Sequence, residues 1–242
     1  MRIPAVRGVI DRRILANFRI DADVLARTLP RPFRPKIVQS GLGMGGICLI
    51  RLIDVRPSAL PVPWGIRSEN AAHRFAVEWD VDGRVREGVF IPRRDTDSRL
   101  NALAGGLVFP GVHHRAHFHV DESADSFRVT LVSHDEDTRV HVEGRIARAL
   151  PETSVFASLG EASAFFERGS LGYSATPDRD RFDGLELACT NWHVEALDVT
   201  EVSSSYFEDL ERFPKGSVEF DCGLLMRDID HEWRGHDDLC CS

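Results

Sequence analysis

Histidine is concentrated in one short segment: four of the chain's ten histidines lie within His113–Val120. The segment alternates in polarity, which predicts a strand with two distinct faces. One face would carry His113, Arg115, His117 and His119, and the other would carry His114, Ala116, Phe118 and Val120. Because imidazole changes charge near neutral pH, a partly buried histidine is a candidate general acid or base. His114 is the polar residue on the apolar face, so strand parity marks it as a candidate site residue.

The same segment matches part of a metal-binding motif. Gly111-x5-His117-x-His119 reproduces the opening of the cupin motif, and two histidines on one face of a strand can hold one ion. The motif continues with a Glu and a later Gly, but Glu122 comes one residue too soon and no Gly follows at the right distance. The alternative is that these histidines form the solvated face of a strand. We expect no metal and no cofactor, and a cupin-like metal enzyme remains an alternative.

A metal-free polar pocket is the interpretation that the residue types favour. Arg74 and Arg99 could converge with His113 or His114, because a guanidinium forks onto a carboxylate or carbonyl oxygen. His73 and Arg115 adjoin these residues in the sequence and complete the set of candidate ligand-binding residues. The alternatives are that Arg99 pairs with Asp95 or Asp97, and that a core histidine is merely hydrogen-bonded.

Two other site types find little support in the sequence. The chain has no G-x-S-x-G nucleophile elbow. Residues Gly41–Gly46 match the letters of a dinucleotide fingerprint, but Ile47–Val55 reads as a strand where that fingerprint needs a helix. We therefore expect these glycines to serve a turn and close strand packing.

Composition limits the possible partners and the compartment. The formal net charge of −8 disfavours nucleic-acid and anionic membrane surfaces. The sequence has neither a signal-peptide pattern nor an apolar stretch of membrane-spanning length. Five cysteines without metal-type spacing are typical of reduced thiols, so we expect a cytoplasmic protein. Only two of the 30 basic residues, Lys36 and Lys215, are lysines, which limits amine chemistry.

The elements predicted around these residues are mostly strands in hairpins. Helices are expected at Ala22–Leu29, at Glu161–Arg168, near Tyr206–Arg212, and from about Ser98, where Asp95, Thr96 and Asp97 supply capping oxygens and Leu100, Leu103 and Leu107 share one side. Strands are expected at Ile10–Phe18, Ile47–Val55, His73–Asp80, Arg84–Ile91, His113–Val120, Ser126–Ser133, Thr138–Leu150, Leu185–Val199 and Ser217–Met226. Pro57–Trp64 and Asp178–Asp183 are expected to be loops. This pattern predicts one α+β domain, residues 1–242, built on an antiparallel β-barrel.

Several motifs, in order and almost end to end, resemble one bacterial family. They are Leu25-x3-Leu29-Pro30, Gly46-x8-Val55-Arg56-Pro57, Asp95-x-Asp97-Ser98-Arg99-Leu100, Phe109-Pro110-Gly111-Val112-His113-His114-Arg115-Ala116, Arg168-Gly169-Ser170-Leu171-Gly172-Tyr173-Ser174 and Leu224-Leu225-Met226-x4-His231-Glu232-Trp233. The chain is similar to an uncharacterised family of acetoacetate-decarboxylase-like proteins, a domain of unknown function. The resemblance implies a cone-like antiparallel β-barrel with an internal cavity, and it implies a homo-oligomer.

The resemblance also indicates which chemistry is missing. True decarboxylases of this superfamily carry a Phe-Gly-Phe-Pro-Lys-Lys segment whose desolvated lysine forms a Schiff base with a β-keto acid. Aligned on Phe109, the two lysines fall on His113 and His114, and histidine cannot form an iminium. This alignment favours His113 as the catalytic-position residue, whereas strand parity favours His114.

The sequence therefore predicts a barrel pocket for a small carbonyl- or carboxylate-bearing metabolite. If the protein is an enzyme, we expect lyase-like acid–base chemistry without an imine, in which Arg74 or Arg99 holds the anion and His113 or His114 moves a proton. The alternative from a different class is a non-catalytic binding or scaffold protein with a vestigial pocket.

Overall fold

The computed structural model describes residues 5–39, 41–59, 65–104 and 110–240, and the strands among them form one 13-stranded sheet. The strands are β1 (Val6–Asp21), β2 (Arg34–Pro35), β3 (Ile37–Gln39), β4 (Leu42–Pro57), β5 (Ile66–Val81), β6 (Arg84–Thr96), β7 (His113–Glu122), β8 (Ser126–Ser133), β9 (Arg139–Ala147), β10 (Leu171–Ala175), β11 (Arg181–Cys189), β12 (Glu195–Ser204) and β13 (Val218–Cys240). Three helices accompany them, α1 (Ala22–Thr28), α2 (Arg99–Ala104) and α3 (Leu159–Arg168).

The strand pairings form a closed circuit. Neighbours follow the order β11-β10-β6-β7-β8-β9-β12-β13-β1-β4-β5-β2, and β5 also pairs with β6 while β11 pairs with β13. Most pairings are antiparallel, but β6 pairs in parallel with both β7 and β10. The sheet is therefore mixed, and the expectation of a purely antiparallel sheet is wrong. The chain crosses over between β6 and β7 instead of turning back in a hairpin, and such crossovers produce parallel neighbours.

The sheet is packed on both faces. One face carries a cluster rich in aromatic side chains, the aromatic core, which includes Phe18, Phe33, Phe75, Trp79 and Phe90. The other face carries the helix-side core, in which residues of β4, β5, β6 and β13 pack with Phe165 and Phe166 of α3. Strand β4 supplies both clusters in alternation, Ile47 and Leu49 to the first and Cys48 and Ile50 to the second. Burial on both faces explains why this strand is apolar throughout.

Two of the predicted helices are confirmed. In α1, the Asp21 side chain accepts hydrogen bonds from the backbone N–H groups of Asp23 and Val24. Helix α3 begins at Leu159, two residues earlier than predicted, and Ser158 caps it by accepting from the N–H of Glu161.

The helix that precedes β7 differs from its prediction. Ser98 caps it by accepting from the N–H of Asn101, and Thr96, one of the three predicted acceptors, accepts from the N–H of Ser98. Leu100 and Leu103 are 56% and 81% exposed, so the apolar side of α2 is not packed in the described chain. Residues 105–109, which include the predicted Leu107, lie outside the described residues.

Three further predictions differ from the structure. Residues 206–212 form turns rather than a helix. The single predicted strand Leu185–Val199 is two strands, β11 and β12, separated by residues 190–194. The predicted loop Asp178–Asp183 ends early, because residues 181–183 already belong to β11.

The glycine-rich stretch takes the structural role expected of it. Strand β4 begins at Leu42, and a Cβ at Gly45 or Gly46 would lie 2.6 Å from Ile20 Cδ1 or 2.7 Å from the Ala16 carbonyl oxygen. These glycines allow close strand packing, and no helix follows them. Among the described residues, no helix has the length and apolar character needed to cross a membrane.

Candidate functional site

A cavity of about 120 Å³ lies on the helix-side face of the sheet, beneath α3. Its apolar wall includes Cys48, Ile50, Leu52 and Phe166, and two indole rings, Trp192 and Trp233, add aromatic surface. Its polar lining includes Arg13, Asn70, Arg74, Arg94, Asp95, Asn101 and His113. A small, largely apolar space with a few polar groups that converge on it is the usual form of a small-molecule site.

Arg74 on β5 is buried and has only part of its hydrogen-bonding capacity used. It donates to Asn17 Oδ1 at 2.9 Å, and its guanidinium lies 4.8 Å from the ring centre of Phe166. Its Nε is buried and has no hydrogen-bond partner among the described residues. Burial lowers its pKa to about 10, since desolvation disfavours the charged form. Arg74 nevertheless remains a cation at neutral pH.

Two more arginines line the cavity in a similar state. Arg94 on β6 donates from Nε to Ser174 Oγ at 3.0 Å, and burial lowers its pKa to about 10. Arg13 on β1 donates to two sulfur atoms, Cys48 Sγ at 3.3 Å and Met226 Sδ at 3.8 Å, which are weak acceptors. Within the part of the chain that the structure describes, neither these two nor Arg74 forms a salt bridge with a carboxylate.

The one carboxylate in the cavity lining is already engaged. Asp95 is fully buried and accepts hydrogen bonds from Arg93 at 2.9–3.2 Å. Arg93 also donates to Asp135 at 2.9 Å. Burial raises the pKa of Asp95, although Arg93 opposes this shift. Asp95 is thus hydrogen-bonded to Arg93, and it forms no salt bridge with the three lining arginines among the described residues.

His113 faces this cavity from the start of β7. It is half-buried and pairs in register with Arg94 of the parallel neighbour β6. Desolvation, followed by the charge of Arg94, lowers its pKa to about 3, so its imidazole is neutral at physiological pH. Gly111 fixes the approach of β7 with a φ of 77° and an N–H that donates to Asp183 Oδ2 at 3.1 Å.

His114 lies on the opposite face of β7. It shares that face with Ala116, which belongs to the aromatic core. Its Nδ1 lies 2.9 Å from Asp135 Oδ2, and about a third of its side chain is exposed. His114, the residue that strand parity favours, therefore lies at the surface next to Asp135. His113, the residue that the family alignment favours, lines the cavity.

The remaining candidate residues lie outside the cavity lining. His73 is fully buried on the aromatic-core side, with Nε2 3.0 Å from Ser204 Oγ and its ring stacked on Tyr206 at 4.6 Å. Desolvation, and then the charges of Arg93 and Arg212, lower its pKa to about 3. Arg99 is exposed on α2, and Arg115 is half-buried on β7. The structure thus brings Arg74 and His113 together and leaves the other four candidates elsewhere.

Sequence reasoning missed Arg13, Arg94 and the two tryptophans. The signal for Arg13 was present, because Asp11, Arg12 and Arg13 are three consecutive charged residues between Ile10 and Ile14 in a predicted strand. Arg94 was hidden because Pro92–Thr96 resembles the polar lead-in to a helix, whereas these residues extend β6.

The residues suited to lysine chemistry or to metal binding, Lys36, His117 and His119, lie outside the cavity lining. Lys36 lies 2.5 Å from Glu87 and lines a separate small void that shares Arg74 and Phe166 with the cavity. Among the described residues, one group has metal-ligating geometry, His141, Glu143 and Glu201 on the surface of β9 and β12. It does not contain His117 or His119, and His117 is stacked on His134 at 4.4 Å.

Known structures resemble the chain over nearly its full length. An acetoacetate decarboxylase from Legionella pneumophila is 12% identical, with 97% of this chain and 88% of that chain covered and a TM-score of 0.62. An acetoacetate-decarboxylase-like enzyme from Sphingomonas wittichii is 13% identical, with 98% and 92% covered and a TM-score of 0.56. The enduracididine biosynthesis enzyme MppR, complexed with pyruvate, is 13% identical, with 99% and 90% covered and a TM-score of 0.57. No profile of a known family matches the sequence, and no curated protein matches it.

These likenesses establish the class of structure. The chain has the acetoacetate decarboxylase-like fold, so the resemblance carried by its motifs is confirmed at the level of fold. At 12–13% identity the activity does not follow from the fold, because one fold hosts many chemistries.

Proposed function

We propose that the protein binds a small metabolite anion, with a carboxylate or carbonyl group, in the cavity beneath α3. The observation that carries the proposal is the set of three arginines that line one cavity without a carboxylate partner among the described residues. Cations taken out of water are costly unless they are paired, so an anionic ligand offsets that cost. A neighbour of the same fold complexed with pyruvate supports this class of ligand.

The lining residues have distinct roles in the proposal. Arg74 and Arg94 donate charge-assisted hydrogen bonds to the anion, which are stronger than neutral ones. His113 is neutral and offers a ring nitrogen to the ligand as a hydrogen-bond partner or proton acceptor. A bound anion beside it favours the imidazolium form, so the ligand itself helps His113 to take up a proton.

Isothermal titration calorimetry with pyruvate tests the binding step. Arg74→Met is expected to weaken binding at least tenfold, because one charged hydrogen bond contributes roughly 1.5–3 kcal/mol. Arg99→Met, an exposed arginine outside the lining, is the matched control and is expected to bind as the wild type does. Equal losses in both variants, or no binding by the wild type to pyruvate or to a range of small carboxylates, would contradict the proposal.

The proposal excludes an imine as the route of catalysis. The two residues aligned with the superfamily's lysines are histidines, and the amine of Lys36 is held by Glu87 outside the cavity lining. Incubation with pyruvate and borohydride, followed by mass spectrometry, is expected to give no covalent adduct. A stable adduct on Lys36 or Lys215 would overturn this part of the proposal.

A binding protein without turnover is the second candidate. The low pKa of His113 favours it, because a group with a pKa of about 3 is a weak base at neutral pH. The two candidates separate in proton exchange at the carbon next to the ligand's carbonyl, followed by NMR in deuterated water. Exchange that His113→Gln abolishes and His114→Gln leaves intact indicates an enzyme, and binding without exchange indicates a binding protein.

We infer, as part of the same proposal, that the closed circuit of pairings is a barrel-like wall within a single domain. A cytoplasmic location and a homo-oligomeric state complete the proposal. They rest on the cysteine pattern of the sequence and on the family resemblance, respectively.

A further inference from the structure

We propose that the natural ligand of this cavity is a small dianion of the dicarboxylate class, held at its two ends by arginines from strands three steps apart in the sheet. This inference rests on the proposed function and narrows it to one substrate class. It is carried by the charge, the register and the size of the cavity.

The charges around the cavity leave a surplus of positive charge. Arg93 carries one positive charge and hydrogen-bonds two carboxylates, Asp95 and Asp135. Arg13, Arg74 and Arg94 then remain with neutral acceptors, a pair of sulfurs, an amide oxygen and a hydroxyl. Four arginines and two carboxylates leave a surplus of two positive charges. A monocarboxylate would offset one of these, whereas a dicarboxylate offsets both.

The register of the sheet places two of these positive charges on strands three steps apart. Arg13 of β1 pairs with Ile50 of β4, and Arg94 of β6 pairs with Ala72 of β5, with β4 and β5 adjacent between them. Three strand steps of about 4.8 Å separate the backbones of β1 and β6 by about 14 Å. Two arginine side chains that extend into the cavity from strands this far apart contact the two ends of a short ligand rather than a single carboxylate.

The size and the surface of the cavity define the body between those ends. An apolar cavity of about 150 Å³ holds benzene. A cavity of about 120 Å³ therefore accommodates a dicarboxylate of about four carbons, the two carboxylate carbons included. Trp192 lies beneath the guanidinium of Arg13 at 6.0 Å, and its indole N–H is already bonded to Ser163 Oγ at 2.9 Å. The indole therefore presents an apolar face to the middle of the ligand.

The test compares ligands that differ only in the second carboxylate. Calorimetric titrations with succinate and butyrate, and with fumarate and crotonate, share a four-carbon skeleton within each pair. We expect the wild type to bind each dicarboxylate at least tenfold more tightly than its monocarboxylate partner. Arg13→Met is expected to reduce this ratio to within about twofold of unity, because the end that Arg13 holds is then free. Arg94→Met is expected to reduce the ratio less, because Arg74 also lines the cavity.

The outcomes separate this inference from the proposed function. Monocarboxylates that bind as tightly as dicarboxylates overturn the dicarboxylate class while anion binding stands. Binding of neither kind, in wild-type protein that unfolds cooperatively, overturns both. A preference that persists in Arg13→Met also overturns the inference, because the second carboxylate would then be recognised elsewhere.

Discussion

The arginines of the cavity are costly for the folded state and useful for a ligand. A guanidinium that exchanges water for sulfur, amide or hydroxyl acceptors loses hydration without gaining an opposite charge. The lowered pKa values of Arg74 and Arg94, both about 10, express that loss. Natural sequences keep such strained polar groups mainly where function requires them.

Arg94→Met is therefore expected to stabilise the fold and to weaken ligand binding. Methionine keeps the apolar length of the side chain, removes the desolvated charge and leaves the Ser174 hydroxyl free to rebond. We expect the free energy of unfolding in urea to rise by about 1 kcal/mol, with at least tenfold weaker binding of a small carboxylate.

The control for that substitution is Arg128→Met, at an exposed ion pair with Glu143. It is expected to change stability by less than about 0.5 kcal/mol and binding not at all. A loss of stability in Arg94→Met larger than in the control would show that protein contacts alone compensate the desolvation cost of the guanidinium.

Three desolvated histidines, two buried and one half-buried, predict instability in mild acid. The pKa values of His73 and His113 are lowered to about 3 and that of His231 to about 4, in each case chiefly by desolvation. An unfolded histidine takes up its proton near pH 6.5. Between these values the unfolded state binds more protons, so stability falls as the pH is lowered, by up to about 1.4 kcal/mol per pH unit and histidine.

Urea denaturation at intervals from pH 6.5 to 5, above the range where most carboxylates titrate, measures this slope. His73→Gln is expected to reduce it by about a third, whatever its effect on absolute stability. His119→Gln, on the exposed face of β7, is expected to leave it unchanged. A wild-type slope of zero in this range would contradict the account of buried neutral histidines.

At the scale of elements, an ion-pair network joins strands that are distant in the sequence. Arg12 of β1 lies 2.6 Å from Glu69 of β5 and 3.1 Å from Glu122 of β7, and Arg51 of β4 binds the same two carboxylates. Arg12 is 2% exposed and Arg51 8%, so both are shielded from water. Breaking one side of such a network leaves a buried charge without its partner.

Glu69→Gln is expected to lower the free energy of unfolding by about 3 kcal/mol, measured by urea titration. Glu219→Gln is the matched control, because its pair with Arg19 has 58% of the Glu219 side chain exposed. That control is expected to lose less than about 0.5 kcal/mol. Equal effects of the two substitutions would mean that burial adds nothing to the network.

Local patterns predicted the hairpins well and the crossovers poorly. Strand β8 was predicted with its observed bounds, Ser126–Ser133. Asp82-Gly83, a dipeptide typical of a type I′ hairpin turn, has a positive φ at both residues. These features depend on alternation and turn chemistry, which are local. The parallel pairings of β6 depend on where distant segments pack, which no local pattern encodes.

The site was predicted only in part for a similar reason. The motif that contains His113 led to the cavity, and Arg74 was expected there as well. Arg94 and Trp233 join the site through β6 and the long β13, whose extent exceeded both predictions. Strand parity chose His114 because the sequence does not reveal that the start of β7 borders a cavity on the face opposite the aromatic core.

At the scale of the whole molecule, exposed apolar side chains on α2 and directly before β7 are a candidate interface for the proposed homo-oligomer. Leu100 and Leu103 of α2 and Val112 before β7 are 56%, 81% and 42% exposed. Exposed apolar clusters of this kind often mark protein interfaces. We expect light scattering at micromolar concentration to give a mass that is a multiple of 27.1 kDa.

Leu103→Asp is expected to shift that mass toward the monomer. Leu210→Asp, which replaces a leucine that is 67% exposed in a different segment, serves as the control and is expected to leave the mass unchanged. A monomeric wild type would refute the oligomer directly.

The central claim is that the arginine-lined cavity holds a small carboxylate. The most direct measurement is a crystal structure of the protein grown with succinate at a concentration well above its measured dissociation constant. The account predicts succinate within hydrogen-bond distance of at least two of Arg13, Arg74 and Arg94, with its carbon chain against Trp192 or Trp233. An unoccupied cavity, or succinate bound only on the surface, would contradict it.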